Sequence, residues 1–144
     1  MYPLIFQRLH GRQLGSLKHR IERYLNYAIY LLIGGWTGAN QQNKYIQATF
    51  DYPKNITRIV TQGRDRASRW VTKYEIATSQ DGINFELVSC GGIACQFDGN
   101  YDRHTLVAND MPSGLTALVI RLYPIEWHDG VDLRWAVCGE NTSD

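Results

Sequence analysis

Three stretches of this sequence collect side chains able to hold a polar ligand. In Tyr123–Trp135 (YPIEWHDGVDLRW), aromatic rings, a histidine, acids and an arginine crowd around Asp129-Gly130, a dipeptide that reverses a chain without such company. In Gly63–Trp70 (GRDRASRW), Arg64, Arg66 and Arg69 stand beside Asp65 and Trp70; forked donors next to a flat ring suit hydroxyls, sulfate or phosphate. In Gly34–Asn40 (GGWTGAN), Trp36 and Asn40 lie in a Gly-rich loop, where an indole can stack on a sugar face or dip into a lipid interface. Each stretch also has an architectural reading. Trp127 can plug the end of a barrel, Trp36 can pack beneath the loops, His128 can fix its turn by a hydrogen bond, and Arg134 can satisfy a buried carboxylate. Solvation explains Arg66 and Arg69 equally well.

Other chemistry is not called for. The sequence has no Gly-x-Ser-x-Gly elbow, no His-Glu-x-x-His and no Gly-Lys-Ser/Thr loop, so no enzyme is expected. Cys90, Cys95 and Cys138 form no Cys-x-x-Cys pair and have no histidine at zinc-finger spacing, which argues against a structural metal. Cys90-Gly-Gly-Ile-Ala-Cys95 can close a tight reversal, and a local disulfide is expected there if the protein is secreted. Asn55-Ile56-Thr57 and Asn141-Thr142-Ser143 are acceptor triplets for N-glycosylation, which fits an extracellular setting. A formal net charge of +1 provides no field for nucleic acid or an anionic membrane.

The elements that must position these residues come from periodicity. The 144-residue length suits one domain. Composition changes near Gly34. In Leu17–Ile33, Ile21, Leu25, Ala28, Ile29 and Leu32 recur close to the helical period, which predicts one helix; its apolar run is far shorter than the ~20 residues a membrane crossing needs. No leader of ordinary form is visible at Met1–His10. Beyond Gly35 the period becomes two. Trp70, Thr72, Tyr74, Ile76 and Thr78 fall on one face of a strand, and Ser79-Gln80-Asp81-Gly82 turns it into Phe85–Val88 as a hairpin. Further strands are expected at Tyr45–Asp51, Ile56–Gln62, Ile93–Phe97, Leu118–Tyr123 and Val131–Val137. Short strands between Gly, Pro, Asn and Asp turns indicate an antiparallel sandwich or barrel.

Thr61-Gln62-Gly63-Arg64, Ser79-Gln80-Asp81-Gly82, Phe97–Asn100, Tyr123-Pro124 with Trp127-His128, and Leu133-Arg134 follow one another at the spacing of a discoidin domain, also called the coagulation factor 5/8 type C domain. Residues 35 to 139 resemble that family. The resemblance implies an all-β, antiparallel jelly-roll of about eight strands with the galactose-binding-like fold, preceded by a divergent segment over 1–33 that holds the expected helix and followed by a tail over 141–144. The domain itself is expected over 34–140.

It implies a noncatalytic recognition module, lectin-like or adhesive, whose ligand is a cell-surface glycan, an anionic phospholipid or an extracellular protein. The implied site lies in the loops at one end, with Arg64 by the ligand pocket, where Asp65 could instead hold it as an ion pair. The His128-Asp129-Gly130 hairpin would stand beside it. Trp36, Asn40, Arg69, Trp70 and Trp127 complete the candidate set. No cofactor is expected; the resemblance alone leaves room for calcium, which no residue set in this sequence supports. The family closes with a cysteine that pairs with one at its opening. Met1–Ile33 contains none, so Cys138 is expected as a free or intermolecular thiol. The second reading is an intracellular protein-interaction subunit built on the same barrel.

Overall fold

Val, Ile, Thr and aromatic residues suit a pleated surface, and they fold the chain into antiparallel strands. The computed structural model describes residues 44–140 and the backbone of residues 27–37. Its strands are β1 (Tyr27–Thr37), β2 (Ile46–Asn55), β3 (Arg58–Gln62), β4 (Trp70–Ser79), β5 (Glu86–Leu87), β6 (Ser89–Cys90), β7 (Ile93–Ala94), β8 (Phe97–Asp98), β9 (Val107–Asp110), β10 (Thr116–His128) and β11 (Asp132–Glu140). One sheet runs β1-β11-β3-β9 and the other β2-β10-β4-β5, with β8 also on β4; β6 and β7 form a small ribbon of their own. Every pairing is antiparallel. The chain crosses between the sheets at every step from β1 to β4 and again from β8 through β11, as a jelly-roll requires.

The core fills the space between the sheets. Ile46, Tyr74, Ile76 and Leu122 from one sheet meet Ile59, Leu133, Trp135 and Val137 from the other in a single buried cluster. Four expected strands appear with altered limits as β2, β3, β10 and β11. The stretch expected as one strand over Ile93–Phe97 is split, because β7 pairs with β6 while β8 pairs with β4. Strand β9, on the outer edge of β3, has no counterpart among the expected strands.

The helix expected over Leu17–Ile33 is corrected where the structure describes it. Residues 27–33 belong to β1, with Tyr27 opposite Glu140 and Ile33 opposite Trp135; residues 17–26 lie outside the described residues. YAIYLLI is aliphatic and aromatic throughout, so a short run of it fits either state, and the long edge of β11 provides the hydrogen bonds that decide. Register shifts between Ile29 and Leu31 and between Ile33 and Trp36 break the strand's alternation.

A second correction concerns β4. From Tyr74 onward the expected face is right, since Tyr74 and Ile76 are fully buried. Earlier the phase is reversed: Val71 is buried and Trp70 only half so. The β4–β10 ladder slips twice between these points, pairing Val71 with Trp127, Lys73 with Glu126 and Tyr74 with Pro124. Pro124 has no N–H to give the ladder, and such interruptions re-aim the side chains beyond them. The slip sends Val71 and Trp127 toward the core and leaves Trp70 and His128 on the other face.

The hairpin from Trp70 to Val88 forms as expected, with Ala77 opposite Leu87. Its turn is organised by Asp81, whose Oδ1 accepts from the Ile83 and Asn84 backbone N–H groups, each at 2.8 Å, and from the Ser79 hydroxyl at 2.9 Å. The Asn84 amide donates to Oδ2 at 2.7 Å. These donors, the Asn84 backbone first, hold the Asp81 carboxyl well below the usual carboxylate range.

Cys90 and Cys95 form the local disulfide, with Cα atoms 4.9 Å apart. Cys138 is a free thiol, wholly buried in β11. Burial favours the free thiol over the intermolecular pairing that was its other expected fate. Burial also pushes its pKa up to about 12, against the opposing charge of Arg58. Among the described residues no helix is long and apolar enough to cross a membrane.

Candidate functional site

Strand register gathers the candidate residues at one end of the barrel. Gln62, the last residue of β3, lies opposite Arg134. Trp70, the first of β4, lies opposite His128, the last of β10. Asp132 opens β11 opposite Thr37, where β1 ends. The connections 63–69, 99–106 and 129–131 therefore meet at this end.

They are fastened to one another by buried polar groups. The Arg134 Nε donates to the Gly63 carbonyl at 2.7 Å and its Nη2 to the Arg103 carbonyl at 2.9 Å, so this side chain joins two loops through their backbones. Gly63 is required at the joint. A Cβ there would stand 2.7 Å from the Arg103 Cα and 2.9 Å from the Asp102 carbonyl oxygen, closer than packed atoms tolerate. The buried Asn100 amide donates to the Thr61 and Thr105 carbonyls at 3.1 and 2.9 Å. Asp102 accepts from the Thr105 and His104 N–H groups and the Thr105 hydroxyl. The Thr105 bonds are the largest cause of a pKa below the ordinary carboxylate value.

On this base stands a charged and aromatic cluster. The Asp132 Oδ2 lies 3.5 Å from the Arg64 Nη1 and 3.6 Å from the Arg69 Nη1. The carboxylate side chain is 2% exposed, whereas the two arginine side chains are 39% and 51% exposed. The Arg69 stem lies over Gly130, where a Cβ would meet its Cδ at 2.7 Å. Beside them Trp70 and His128 stack with ring centroids 4.3 Å apart and planes 15° from parallel. Asp129 takes a left-handed φ of 59°, closing the turn with its carboxylate 3.6 Å from the His128 Nε2.

The structure thus brings together Arg64, Asp65, Arg69, Trp70, His128 and Asp129. Asp65 pairs with Arg66 at 4.0 Å; Arg64 is held instead by Asp132. Trp127, half-buried, packs against the core. The Trp36 backbone pairs with Leu133 near the same end, and its side chain lies outside what is described, as do Asn40 and Asn141. Asn55 is exposed opposite Thr116, where β2 ends.

Sequence reasoning missed two contributors. Asp132 is one of the acids of Tyr123–Trp135 but stands outside the candidate set, although an acid opening a strand is itself a signal. Tyr101, just past the Phe97–Asn100 motif, is 68% exposed at this end. Among the described residues no cluster of His, Cys, Asp or Glu fits a metal ion. A hollow of about 360 Å³ on the outer face of the β2-β10-β4-β5 sheet, between Phe85, Leu87 and Tyr123, is separate from these loops. The loop end offers forked donors and a flat ring pair, which can grip hydroxyls or anionic oxygens without covalent chemistry.

Known proteins share this sequence and fold. Rat (Rattus norvegicus) lactadherin is 33% identical over 113 residues, covering 75% of this chain and 26% of lactadherin; the chain thus spans about a quarter of that relative's length. The solved structure of wild-type discoidin II from Dictyostelium discoideum superposes with a TM-score of 0.67 at 24% identity, over 76% of this chain and 42% of discoidin II. The CBM32-1 and CBM32-2 domains of Clostridium perfringens ZmpB, solved in complex with GalNAc, superpose with a TM-score of 0.57 at 18% identity, over 74% of this chain and 28% of theirs. The F5/8 type C domain profile matches residues 24–137, a span that takes in all of β1 and most of β11, and the chain therefore belongs to the F5/8 type C domain family.

Proposed function

We propose that this chain is a noncatalytic, extracellular recognition module that binds a hydroxyl-rich glycan through the loops at one end of its barrel. The observation that carries this reading is the pair of half-exposed guanidinium forks, Arg64 and Arg69, standing over one buried carboxylate beside the Trp70–His128 stack. Forks supply directional hydrogen bonds to hydroxyls, and a flat ring supplies the apolar surface that a sugar face needs. The fold is shared with a carbohydrate-binding module solved with GalNAc. The Cys90–Cys95 disulfide fits an oxidising compartment. Phospholipid head groups and cell-surface proteins are the other ligands the same loops could serve.

Each polar contact is worth about 0.5 to 1.5 kcal/mol net, so one site binds weakly and adhesion needs several copies. The test is a glycan array run beside vesicles containing phosphatidylserine. Arg64→Ala is expected to lower binding about tenfold while the far-UV circular dichroism is retained. Unchanged binding in that variant to every ligand the wild type takes would place the site elsewhere.

A further inference from the structure

The Asp132 carboxylate is almost wholly buried, yet among the described residues neither of its oxygens accepts a hydrogen bond. A buried carboxylate so placed is costly unless opposite charge flanks it. Here the flanking charges are Arg64 and Arg69, both within ion-pair range of the same Oδ2. The other acids of this end are engaged elsewhere: Asp65 with Arg66, Asp129 with His128, and Asp102 with the N–H groups of its own loop. Among the described residues, Asp132 alone serves the two forks.

We propose that Asp132 sets the charge selectivity of the loop end, orienting Arg64 and Arg69 and offsetting part of their charge, so that the site favours neutral hydroxyls over anionic head groups. Segments 63–70, 99–106 and 128–134 carry five arginines, Arg64, Arg66, Arg69, Arg103 and Arg134, against four aspartates, Asp65, Asp102, Asp129 and Asp132, and Arg134 is turned onto two backbone carbonyls. The formal excess is one positive charge, and an anion arriving there meets fork charge already partly compensated from below. A neutral sugar loses nothing by this, because a guanidinium paired on one edge still donates from the other. Removing the Asp132 charge doubles that excess and leaves two adjacent uncompensated forks, which is the arrangement that binds phosphate. Asp132 is thus a positioning residue that acts through the two arginines. The inference rests on the loop end being the binding surface.

The test compares the full chain with Asp132→Asn, Asp132→Glu and the control Asp51→Asn. The probes are immobilised N-acetylgalactosamine and phosphatidylcholine vesicles with or without phosphatidylserine, at low and high salt. Wild type and Asp132→Glu are expected to prefer the sugar, with little dependence on salt. Asp132→Asn is expected to gain about tenfold in affinity for phosphatidylserine vesicles at low ionic strength and to lose that gain at high salt. Asp51→Asn makes the same change in net charge on an exposed group of β2, toward the end of β10 remote from His128, and should behave as wild type. If Asp132→Asn fails to fold, Asp132→Ser removes the same charge from a smaller side chain. A wild type that binds neither probe, while the charge-removing variant still acquires vesicle binding, would remove the glycan reading and leave the selectivity role standing. A wild type that already prefers phosphatidylserine vesicles, or folded Asp132→Asn and Asp132→Ser with unaltered selectivity, would overturn the proposal.

Discussion

The turn after β4 and the loop end above β11 both place an aspartate at a strand terminus, and they use it differently. Asp81 accepts bonds from Ser79, Ile83 and Asn84, all within three residues of it in sequence. Among the described residues Asp132 accepts no hydrogen bond, and it faces Arg64 and Arg69, more than sixty residues earlier in sequence. The first carboxylate completes a turn with what the turn already holds. The second lies under exposed guanidinium groups whose remaining donors are open to a ligand. A locally satisfied polar group makes architecture, whereas one balanced only by distant, half-exposed partners leaves hydrogen-bonding capacity at the surface.

The largest expected effect falls where the loop end is joined. Gly63→Ala forces a Cβ against the backbone of Arg103 and Asp102, neither of which can step aside as a flexible side chain would. A loss of about 3 kcal/mol in urea denaturation is expected, together with loss of binding. An unchanged midpoint would mean that the two loops are not fastened there, and the contrast with the self-contained turn would fail.

A smaller effect is expected at Asp81. Its folded pKa is depressed, so its contribution is present above the unfolded value of about 3.9 and is lost as pH falls toward the folded one. Asp81→Asn should therefore lower the Tm at neutral pH, and its melting curve should approach that of wild type on acidification from about pH 4 downward. A constant gap between the two across the acid range would show that the carboxylate charge does not organise the turn.

The smallest effect separates the buried thiol from the exposed ribbon. With its pKa pushed up to about 12 and no exposure, Cys138 should resist iodoacetamide at pH 8 in the native protein. Denaturation without reductant should expose one reactive thiol per chain, and reduction all three cysteines. Mass spectrometry reads each state, and alkylation of the native chain at Cys138 would contradict its place in the core.

Much of the fold was legible because its signals are local. The alternation from Tyr74 to Thr78, the turn at Ser79–Gly82 and the closing of Cys90 on Cys95 each depend on neighbours a few residues apart. Residues 27–33 were misread because an aliphatic and aromatic run fits a helix or a strand until a partner edge exists. Trp70 was placed on the wrong face because the slip beside Pro124 belongs to the pairing with β10, not to β4 itself.

Residue types by themselves determined which groups could form a site: guanidinium forks in GRDRASRW, rings and acids in EWHDGVD. Only the tertiary structure decided how they are used. It turned Trp127 into the core and stacked Trp70 on His128. It also gave Arg134 to two backbone carbonyls and left Asp132, not Asp65, beneath Arg64. The physical reason is distance along the chain. Side-chain type and short-range periodicity are properties of a segment, whereas the partner of a charge is set by the register between strands, and that exists only once the two sheets have closed over their shared core.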